Sequence, residues 1–580
     1  MDDPNKVTYF GETDSRHDHK KFGIKAADRS KHVYVIGKTG MGKSTLLENM
    51  AIQDIQSGNG IVFVDPHGGT AEKLLEYVPE ERVKDVLYLA PFDIDFPVAF
   101  NVMEDVGAEK RHLVVSGLMS AFMKLFGEDS FSDRMQYILQ NTILALLEYP
   151  GSTMLGINKM LVDKAYRKKV VDNITDPSVK TYWTQEFAGY TERFAAEAIP
   201  AIQNKIGQFT SNPLIRNIIG QPKSSFNFRT IMDEKKIVIV NLSKGRVGEG
   251  NARLLGSMLI TRIYLASMSR ADESAVSLAK LPQFYLFVDE FQSFADKSFA
   301  DILSEARKYK LNLTMAHQYI EQMEEEVRDA VFGNVGTMIA FRVGAYDADV
   351  LEKEFAPVFI AEDLVNLGLR QIYLKLMINS VTSQPFSATT LPPIPIPPIS
   401  YIPEIISNSR KIFARPRSEV EQAIMDWHGE VNILPAKESS PRATVRRAEP
   451  KPIDTRSLVS EASSKVAAPR PRPAPRPASP VEPMPKSLNS GLTPNSTPRV
   501  SLEELKRKSN NQRKPDEKNV NALRDALKSV MGSQPTTNNS QPTTNLNNES
   551  AESKLTANSS ELKATTGPNP EELKKMLVVE

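Results

Sequence analysis

The stretch "HVYVIGKTGMGKSTLLENM", residues 32–50, joins an apolar run to a Gly-rich turn and then to an amphipathic continuation. Gly37, Gly42, Lys43 and Ser44 fit the pattern G-x-x-x-x-G-K-[ST], and Gly40 lies within the turn. A predicted strand precedes the turn and a predicted helix follows it, which is the context that this pattern requires. The stretch therefore predicts a strand–loop–helix unit that binds polyphosphate.

Each residue type in this turn has a physical role in holding phosphate. Glycines let the backbone approach the ligand closely, and the loop N–H groups and the helix N-terminus face the anion. Lys43 is expected to reach the β- and γ-phosphates, and Ser44 is expected to ligate Mg²⁺. The residues expected to contact the nucleotide are Gly37, Lys38, Thr39, Gly40, Met41, Gly42, Lys43, Ser44 and Thr45.

Seven further apolar runs follow, separated by segments with helical spacing. Their near-continuous hydrophobicity is typical of strands in a parallel sheet that helices cover on both faces. We therefore predict an α/β fold with a mostly parallel sheet. With the P-loop strand, the runs are "HVYVI", "GIVFVD", "DVLYLA", "KIVIVNL", "FYLFVDE", "LNLTMAH", "TMIAFRV" and "QIYLKLMI".

The segment from about Asp105 to Gln221 lacks such runs and instead has helical spacing, for example in "FSDRMQYILQNTILALLE". It is predicted to be a helical subdomain inserted into the α/β domain. The predicted boundaries are a short N-terminal segment 1–30, a first part of the P-loop domain 31–104, the insertion 105–225, a second part of the P-loop domain 226–395 and a tail 396–580.

The composition is that of a soluble, multi-module protein. The 580 residues exceed what one core usually contains, and 40% hydrophobic with 25% charged residues is ordinary. The absence of cysteine excludes disulfides, thiolate metal sites and cysteine nucleophiles. No apolar run is long enough to cross a membrane, so we expect a cytoplasmic protein. The net charge of +1 argues neither for nor against a nucleic-acid partner.

The C-terminal third has a different composition. Of the 39 prolines, 26 follow Leu391, and no aromatic residue follows Trp427. Residues from about 430 onward are predicted to be disordered, because their apolar area cannot offset the entropy of ordering. Within them, "SLEELKRK" and "NPEELKKML" are expected to form short helices. A chain that ends near Pro398 is therefore expected to fold.

The run "FYLFVDEF" supplies two acidic residues where a strand would end. Asp289 is expected to hold Mg²⁺, and Glu290 to polarise the attacking water, because ligands collect at the carboxyl ends of parallel strands. The next strand ends in "MAHQ", where Gln318 is expected to sense the γ-phosphate or the water. The neighbouring His317 is expected to be a packed, hydrogen-bonded side chain without a catalytic role.

Two arginines are candidates for a finger that reaches the nucleotide of another subunit. Arg307 lies in "SEARKYK", between the acidic strand end and the Gln318 strand. It would neutralise charge that develops on the γ-phosphoryl group, unless it forms a simple ion pair with a neighbour such as Glu305 or Asp301. Arg342 in "FRVG" is the rival.

Three polar residues on other predicted loops remain open in role. Lys244 and Arg246 in "NLSKGRVGEG" could contact the DNA backbone or the nucleotide of a neighbouring subunit, or belong to a solvated loop. Asp65 in "DPHGG" either faces the active site or caps a turn.

The motifs together resemble those of the coupling proteins of type IV secretion and conjugation, of the TraD/TraG kind, within the FtsK/HerA group of P-loop ATPases. The resemblance covers about residues 22–393, including the helical insertion. It rests on these segments, which occur in family order: "VYVIGKTGMGKSTLLENM", "IVFVDPHGG", "VIVNLSKGRVGEGNARLLGSML", "LFVDEFQSFADKSFADILSEARKYKLNLTMAHQY", "GNVGTMIAFRVGAYDA" and "FSATTLPP".

The resemblance implies a RecA-like hexameric motor that uses ATP and Mg²⁺ to thread DNA through a ring. It also implies relaxase or secretion-channel proteins as partners of the tail, and a cytoplasmic location or peripheral attachment at a membrane secretion complex. Coupling proteins of this kind usually carry an N-terminal membrane anchor, whereas the P-loop strand here begins near residue 32. How the chain docks to a secretion channel is therefore left open.

Other functions use the same catalytic residues. The chain could energise protein secretion or assembly, act as a HerA/FtsK-like motor in internal DNA processing, or be an ATP-gated scaffold whose tail recruits partners. Stimulation of hydrolysis by DNA distinguishes the DNA motors from the protein motor, and turnover that stays at a slow basal rate favours the scaffold.

Overall fold

A computed structural model of the protein describes residues 3–14 and 19–429, with the backbone alone for residues 192–197. The predicted disordered tail from residue 430 and its two short helices lie outside the described residues. The strands are β1 Val7–Glu12, β2 Lys21–Lys25, β3 Val33–Ile36, β4 Gly60–Asp65, β5 Val86–Leu89, β6 Ile237–Asn241, β7 Phe284–Val288, β8 Leu311–His317, β9 Thr337–Ala340, β10 Gln371–Lys375, β11 Met377–Ile378, β12 Val381–Thr382 and β13 Phe386–Thr390.

The α-helices alternate with these strands along much of the chain. They are α1 Ala26–Arg29, α2 Lys43–Gln56, α3 Gly69–Leu75, α4 Arg111–Phe126, α5 Asp133–Glu148, α6 Leu155–Val162, α7 Lys164–Asn173, α8 Pro177–Thr181, α9 Glu192–Thr210, α10 Pro213–Ile219, α11 Phe228–Asp233, α12 Lys244–Val247, α13 Glu249–Met268, α14 Ala275–Lys280, α15 Ser298–Glu305, α16 Glu325–Asn334, α17 Ala345–Phe355, α18 Ala361–Val365, α19 Ile402–Phe413 and α20 Arg417–Gly429.

One eleven-stranded sheet organises the molecule, in the order β2-β1-β13-β10-β9-β3-β8-β7-β4-β6-β5. The seven strands from β9 to β5 are parallel to one another. Their residues are buried on both faces, where two separate hydrophobic clusters form. All eight apolar runs contain observed strands, so the predicted α/β fold with a mostly parallel sheet is confirmed.

The other end of the sheet is antiparallel and was not predicted in full. Strand β10 pairs with β9 and β13, and β13 pairs with β1, which pairs with β2. The pairing of Gly11 with Thr390 joins the first and last strands of this sheet. The short segment before residue 31 therefore supplies two strands of the main sheet, which the apolar runs did not indicate.

Between β5 and β6 the described residues form helices α4 to α11 and short helical turns, in line with the predicted insertion. These helices do not have a core of their own. Phe122 of α4 and Ile138 of α5 belong to the same hydrophobic cluster as Tyr34 and Ile36 of β3. The insertion is thus packed continuously with one face of the sheet, while Val33 and Val35 face the cluster on the other side.

The packed region extends beyond the predicted tail boundary at residue 396. Ile405 of α19 is fully buried, and Ser409 accepts a hydrogen bond of 3.0 Å from the backbone N–H of Tyr88 in β5. Val420 and Ile424 of α20 pack with Leu155 of the inserted helices. A boundary at residue 396 is therefore too early, because two amphipathic helices after the Pro-rich segment bury apolar side chains on the core.

We consequently expect truncation at Pro398 to destabilise the protein, contrary to the expectation from sequence. Removing α19 and α20 exposes core surface at Leu155 and deletes three buried aliphatic side chains, each worth about 1.5–3 kcal/mol when buried. Thermal melts of chains ending at 398 and at 430 test this, with the full chain as the reference. The chain ending at 430 should melt at the same temperature as the full chain, and the chain ending at 398 should melt several degrees lower. Equal melting temperatures for the two shortened chains would contradict the assignment of α19 and α20 to the packed core.

Among the residues that the structure describes, none belongs to a helix with the length and apolar character that crossing a bilayer requires.

Candidate nucleotide-binding and hydrolysis site

The P-loop connects β3 to α2 at the carboxyl edge of the parallel strands. Gly42 is the N-cap residue of α2 and has a φ of 116°, a conformation that residues with a Cβ rarely adopt. A Cβ at Gly37 would lie 2.5 Å from the Cβ of Phe341, in the segment that follows β9. These two positions require glycine, and the loop has the conformation that the sequence pattern predicts.

Lys43 begins α2 and is almost completely buried. Its Nζ donates hydrogen bonds to the carbonyl oxygens of Gly37 at 2.6 Å and Lys38 at 3.1 Å. Burial lowers the pKa of Lys43, and the nearby carboxylates of Glu290 and Asp289 partly oppose this effect. The ammonium group is therefore held within the loop, next to the surface where phosphates would bind.

Ser44 and Asp289 are brought into contact although they are far apart in the sequence. The Ser44 hydroxyl donates a hydrogen bond of 2.9 Å to Oδ2 of Asp289, which directly follows β7. Burial raises the pKa of Asp289, against the hydrogen bond from Ser44. A hydroxyl and a carboxylate are hard oxygen ligands, and Mg²⁺ commonly takes one or two such protein ligands beside phosphates and water. These two residues fit the predicted magnesium site.

Glu290 adjoins Asp289 in a strained backbone conformation, with a φ of 47°. Its carboxylate accepts hydrogen bonds from the side-chain amides of Gln292, at 2.6 Å, and Gln318, at 3.2 Å. Nε2 of His67 lies 3.9 Å from Oε1 of the same carboxylate. Burial would raise the pKa of Glu290, but contact with His67, the hydrogen bond from Gln292 and the charge of Lys43 hold it below its usual value. These contacts favour the carboxylate form of Glu290.

Gln318 follows β8 and links the two halves of the site. Its amide donates a hydrogen bond of 2.5 Å to the Thr39 hydroxyl of the P-loop as well as the one to Glu290. The neighbouring His317 is fully buried, and its Nδ1 lies 2.8 Å from the Tyr34 hydroxyl. Burial lowers the pKa of His317 to about 3, so the ring stays neutral. His317 is the packed, hydrogen-bonded side chain that the sequence predicted.

The loop after β4 supplies one contact that the sequence reading missed. Asp65 accepts hydrogen bonds from the backbone N–H groups of His67, at 2.7 Å, and Ala71, at 2.9 Å. Its role is therefore the turn-capping one of the two considered. This turn directs His67 towards Glu290, and contact with that carboxylate raises the pKa of His67. The segment "DPHGG" contains His67, but its residue types alone do not indicate that this side chain faces Glu290.

Arg307 is exposed, in a short 3₁₀ turn, Ala306–Tyr309, that precedes β8. Within the described residues it forms no side-chain hydrogen bond or ion pair, whereas Lys308 pairs with Glu305 at 2.7 Å. The seven residues of β8 separate it from Gln318, a distance of about 23 Å for an extended strand. Arg307 therefore lies at the opposite edge of the sheet from the P-loop of its own chain.

Arg342, the rival finger, lies beside the P-loop of its own chain. Its carbonyl oxygen accepts a hydrogen bond of 2.8 Å from the backbone N–H of Lys38. Its Nε is buried and has no hydrogen-bond partner within the described part of the chain.

The two residues proposed for DNA contact differ in their surroundings. Arg246 pairs with Glu72 at 3.3 Å and stacks on the ring of Phe92 at 4.5 Å, so it is engaged within the chain. Lys244 is exposed at the start of α12, and its backbone N–H donates a hydrogen bond to the carbonyl oxygen of Pro66. Of the two side chains, Lys244 is therefore the one that is available to an external phosphate.

Comparison with known families gives a match over more than half of the chain. Residues 3–339 match a family model described as "Type IV secretory system Conjugative DNA transfer". No curated protein matches the sequence at a significant level.

The solved structures that match have low sequence identity to this chain. The bacterial conjugative coupling protein TrwBdeltaN70, in a trigonal form with sulphate, is 15% identical; the match covers 68% of this chain and 97% of that one, with a TM-score of 0.47. The plasmid coupling protein TrwB in complex with ADP and Mg²⁺ is 15% identical over 65% of this chain and 88% of that one, with a TM-score of 0.46. VirB4 of Thermoanaerobacter pseudethanolicus is 12% identical over 68% and 97%, with a TM-score of 0.45.

Proposed function

Because this chain belongs to the type IV secretory system conjugative DNA-transfer family, we propose that it is a coupling-type ATPase that moves DNA through a ring of subunits. The observation that carries the proposal is the convergence of Lys43, Ser44, Asp289, Glu290 and Gln318 at one edge of the sheet. These residues come from three separate strand ends, and each has the chemistry that ATP hydrolysis requires.

In this mechanism Lys43 exchanges the carbonyls of Gly37 and Lys38 for the β- and γ-phosphates of ATP. The Ser44 hydroxyl and the Asp289 carboxylate hold Mg²⁺, which neutralises phosphate charge when it is bound. Glu290 orients the attacking water and accepts its proton. Gln318, which already links the P-loop to Glu290, exchanges the Thr39 hydroxyl for the γ-phosphate and so reports the state of the nucleotide to β8.

The test of the proposed function is ATPase activity of the purified full chain with and without single- and double-stranded DNA. We expect hydrolysis that either form of DNA stimulates, with weaker stimulation at higher salt, because contacts to the phosphate backbone release counterions. Lys244→Ala should reduce the stimulation and leave the basal rate unchanged, whereas Lys84→Ala, at a distant exposed position, should change neither. A rate of ATP hydrolysis that DNA does not change but a protein partner increases would contradict the proposal.

The ring is proposed to be a hexamer in which Arg307 acts on the nucleotide of the adjacent subunit. Arg307 is exposed, unpaired within the described residues and too far from its own P-loop to act there, whereas Arg342 lies beside its own P-loop. The same proposal assigns the motor to the cytoplasm, with relaxase or secretion-channel proteins as partners of the tail that follows α20.

Mixed oligomers test the role of Arg307. An Arg307→Ala subunit and a Lys43→Ala subunit should each be inactive alone, and their mixture should regain part of the activity, because an intact P-loop can face an intact finger. ATPase rate and oligomer mass are measured for each mixture. The matched control is Arg342→Ala mixed with Lys43→Ala. Recovery only in the control mixture would transfer the finger role to Arg342.

A further inference from the structure

The turn that follows Glu290 is built so that one of its side chains faces back to the carboxylate. Glu290 has a left-handed backbone conformation and is followed by a 3₁₀ turn, Phe291–Ser293. The Ser293 N–H donates a hydrogen bond of 2.9 Å to the Glu290 carbonyl oxygen, which closes the turn. In this arrangement the Gln292 amide donates its hydrogen bond of 2.6 Å to Oε2 of Glu290.

The two oxygens of the Glu290 carboxylate have different partners. Oε1 accepts a hydrogen bond from Gln318 at 3.2 Å and lies 3.9 Å from His67. Oε2 has the Gln292 amide as its one side-chain donor within residues 3–14 and 19–429. The Gln318 amide also donates a hydrogen bond to the Thr39 hydroxyl, and Gln318 is assigned to contact the γ-phosphate. It is therefore not dedicated to holding Glu290. Gln292 is free to hold Glu290 throughout.

Phe291 anchors the turn that carries Gln292. Its ring is fully buried and packs edge-on against Phe299, at a centroid distance of 4.6 Å, and against His317, at 6.2 Å. Because His317 is in β8 and Phe299 in α15, the turn is attached to two elements of the core. The Gln292 amide therefore extends from a rigid support and not from a mobile loop.

The carbonyl oxygen of the Gln292 side-chain amide, Oε1, is buried without a hydrogen-bond partner among the described residues. A buried, unpaired carbonyl oxygen costs stability, and an apolar side chain of similar size would avoid that cost. Stability alone therefore does not explain a glutamine at this position. The need for a hydrogen-bond donor to the Glu290 carboxylate does explain it.

We propose that Gln292 is a positioning residue, which holds the Glu290 carboxylate in the orientation that activates water. The inference rests on the proposed ATPase function and deepens it. Gln292 does not touch the nucleotide in this assignment; it acts through Glu290. The loss of its amide should therefore slow the hydrolysis step and leave nucleotide binding unchanged.

The first experiment measures kcat, KM and nucleotide affinity for Gln292→Leu in the full chain, with Ser293→Ala as the control in the same turn. We expect kcat to fall about 10- to 100-fold, as small displacements of a catalytic group do, with unchanged affinity for a fluorescent ATP analogue. The variant should melt at or above the wild-type temperature, because the unpaired oxygen is gone. Wild-type kcat in Gln292→Leu, or an equal fall in Ser293→Ala, would overturn the inference.

The second experiment combines Gln292→Leu with Glu290→Gln and measures single-turnover hydrolysis. A residue that acts only through Glu290 has no further effect once Glu290 is replaced, so the double variant should equal Glu290→Gln alone. A further fall by the same factor as in the wild-type background would show a general structural role and overturn the inference. A wild-type chain that hydrolyses no ATP overturns the proposed function and this inference together; an active one with unaffected Gln292→Leu overturns the inference alone.

Discussion

Lys43→Ala should abolish ATP hydrolysis and weaken nucleotide binding by about 10- to 100-fold, since a hydrogen bond to a charged group contributes about 1.5–3 kcal/mol. In the wild type the Lys43 ammonium is buried, and the loop carbonyls of Gly37 and Lys38 hold it where the β- and γ-phosphates are expected. No other lysine of the described P-loop is buried in this way. Binding is measured with a fluorescent nucleotide and turnover by phosphate release.

The stability of this variant should not fall, which separates loss of binding from unfolding. Burial disfavours the charged form of Lys43, so its removal relieves a desolvation cost in the absence of nucleotide. We expect an equal or higher melting temperature without ATP and a smaller shift on adding ATP. Lys84→Ala serves as the control, because Lys84 is exposed and far from the loop. Near-wild-type turnover in Lys43→Ala would contradict the whole site assignment.

Glu290→Gln should retain ATP binding and lose about 10²- to 10⁴-fold in hydrolysis, the usual contribution of general base catalysis. The amide has the shape of the carboxylate but cannot accept the proton of water. Asp289 and Ser44, which are assigned to Mg²⁺, are unchanged in this variant, so ground-state binding should persist. Equilibrium ATP binding and single-turnover hydrolysis are measured on the same preparation.

Glu305 provides a charge-matched control for the Glu290 variant. Glu305→Gln removes a carboxylate that pairs with Lys308 at the opposite edge of the sheet, and it should leave the intrinsic rate of hydrolysis unchanged. If Glu290→Gln turned over ATP as fast as the wild type, another residue would have to be the base. The carboxylate of Asp65 is then a poor substitute, because both its oxygens are occupied by backbone N–H groups.

The central strands were predictable because parallel strands are buried on both faces and so read as continuous apolar runs. Strands β1, β2 and β13 were not predicted, since they lie in the antiparallel part of the sheet, where exposed and buried residues mix and Gly11 and Gly23 interrupt the pattern. Helices α19 and α20 were assigned to the tail because the prolines before them dominate the local composition.

The residues of the candidate site also fall into a group that was predictable from the sequence and a group that was not. Lys43, Ser44, Asp289 and Glu290 occur in patterns whose spacing is set by local geometry, and the structure brings them together. His67 and Gln292 lie in two different turns, after β4 and after β7, and no pattern of residue types indicates where such turns direct their side chains. The position of Arg307 at the far edge of the sheet likewise depends on the direction of β8, not on nearby sequence.

The position of β3 in the sheet has a consequence for folding during synthesis on the ribosome. Strand β3 lies between β8 and β9, and roughly 270 residues of chain separate it from the first of these. At about 5–20 residues per second, roughly 15–55 s pass between the synthesis of the two strands. During that time Val33, Tyr34, Val35 and Ile36 have neither neighbour, and a nascent chain must shield them by other means. A chain that stops before β8 contains the whole P-loop motif but lacks both strands that flank β3.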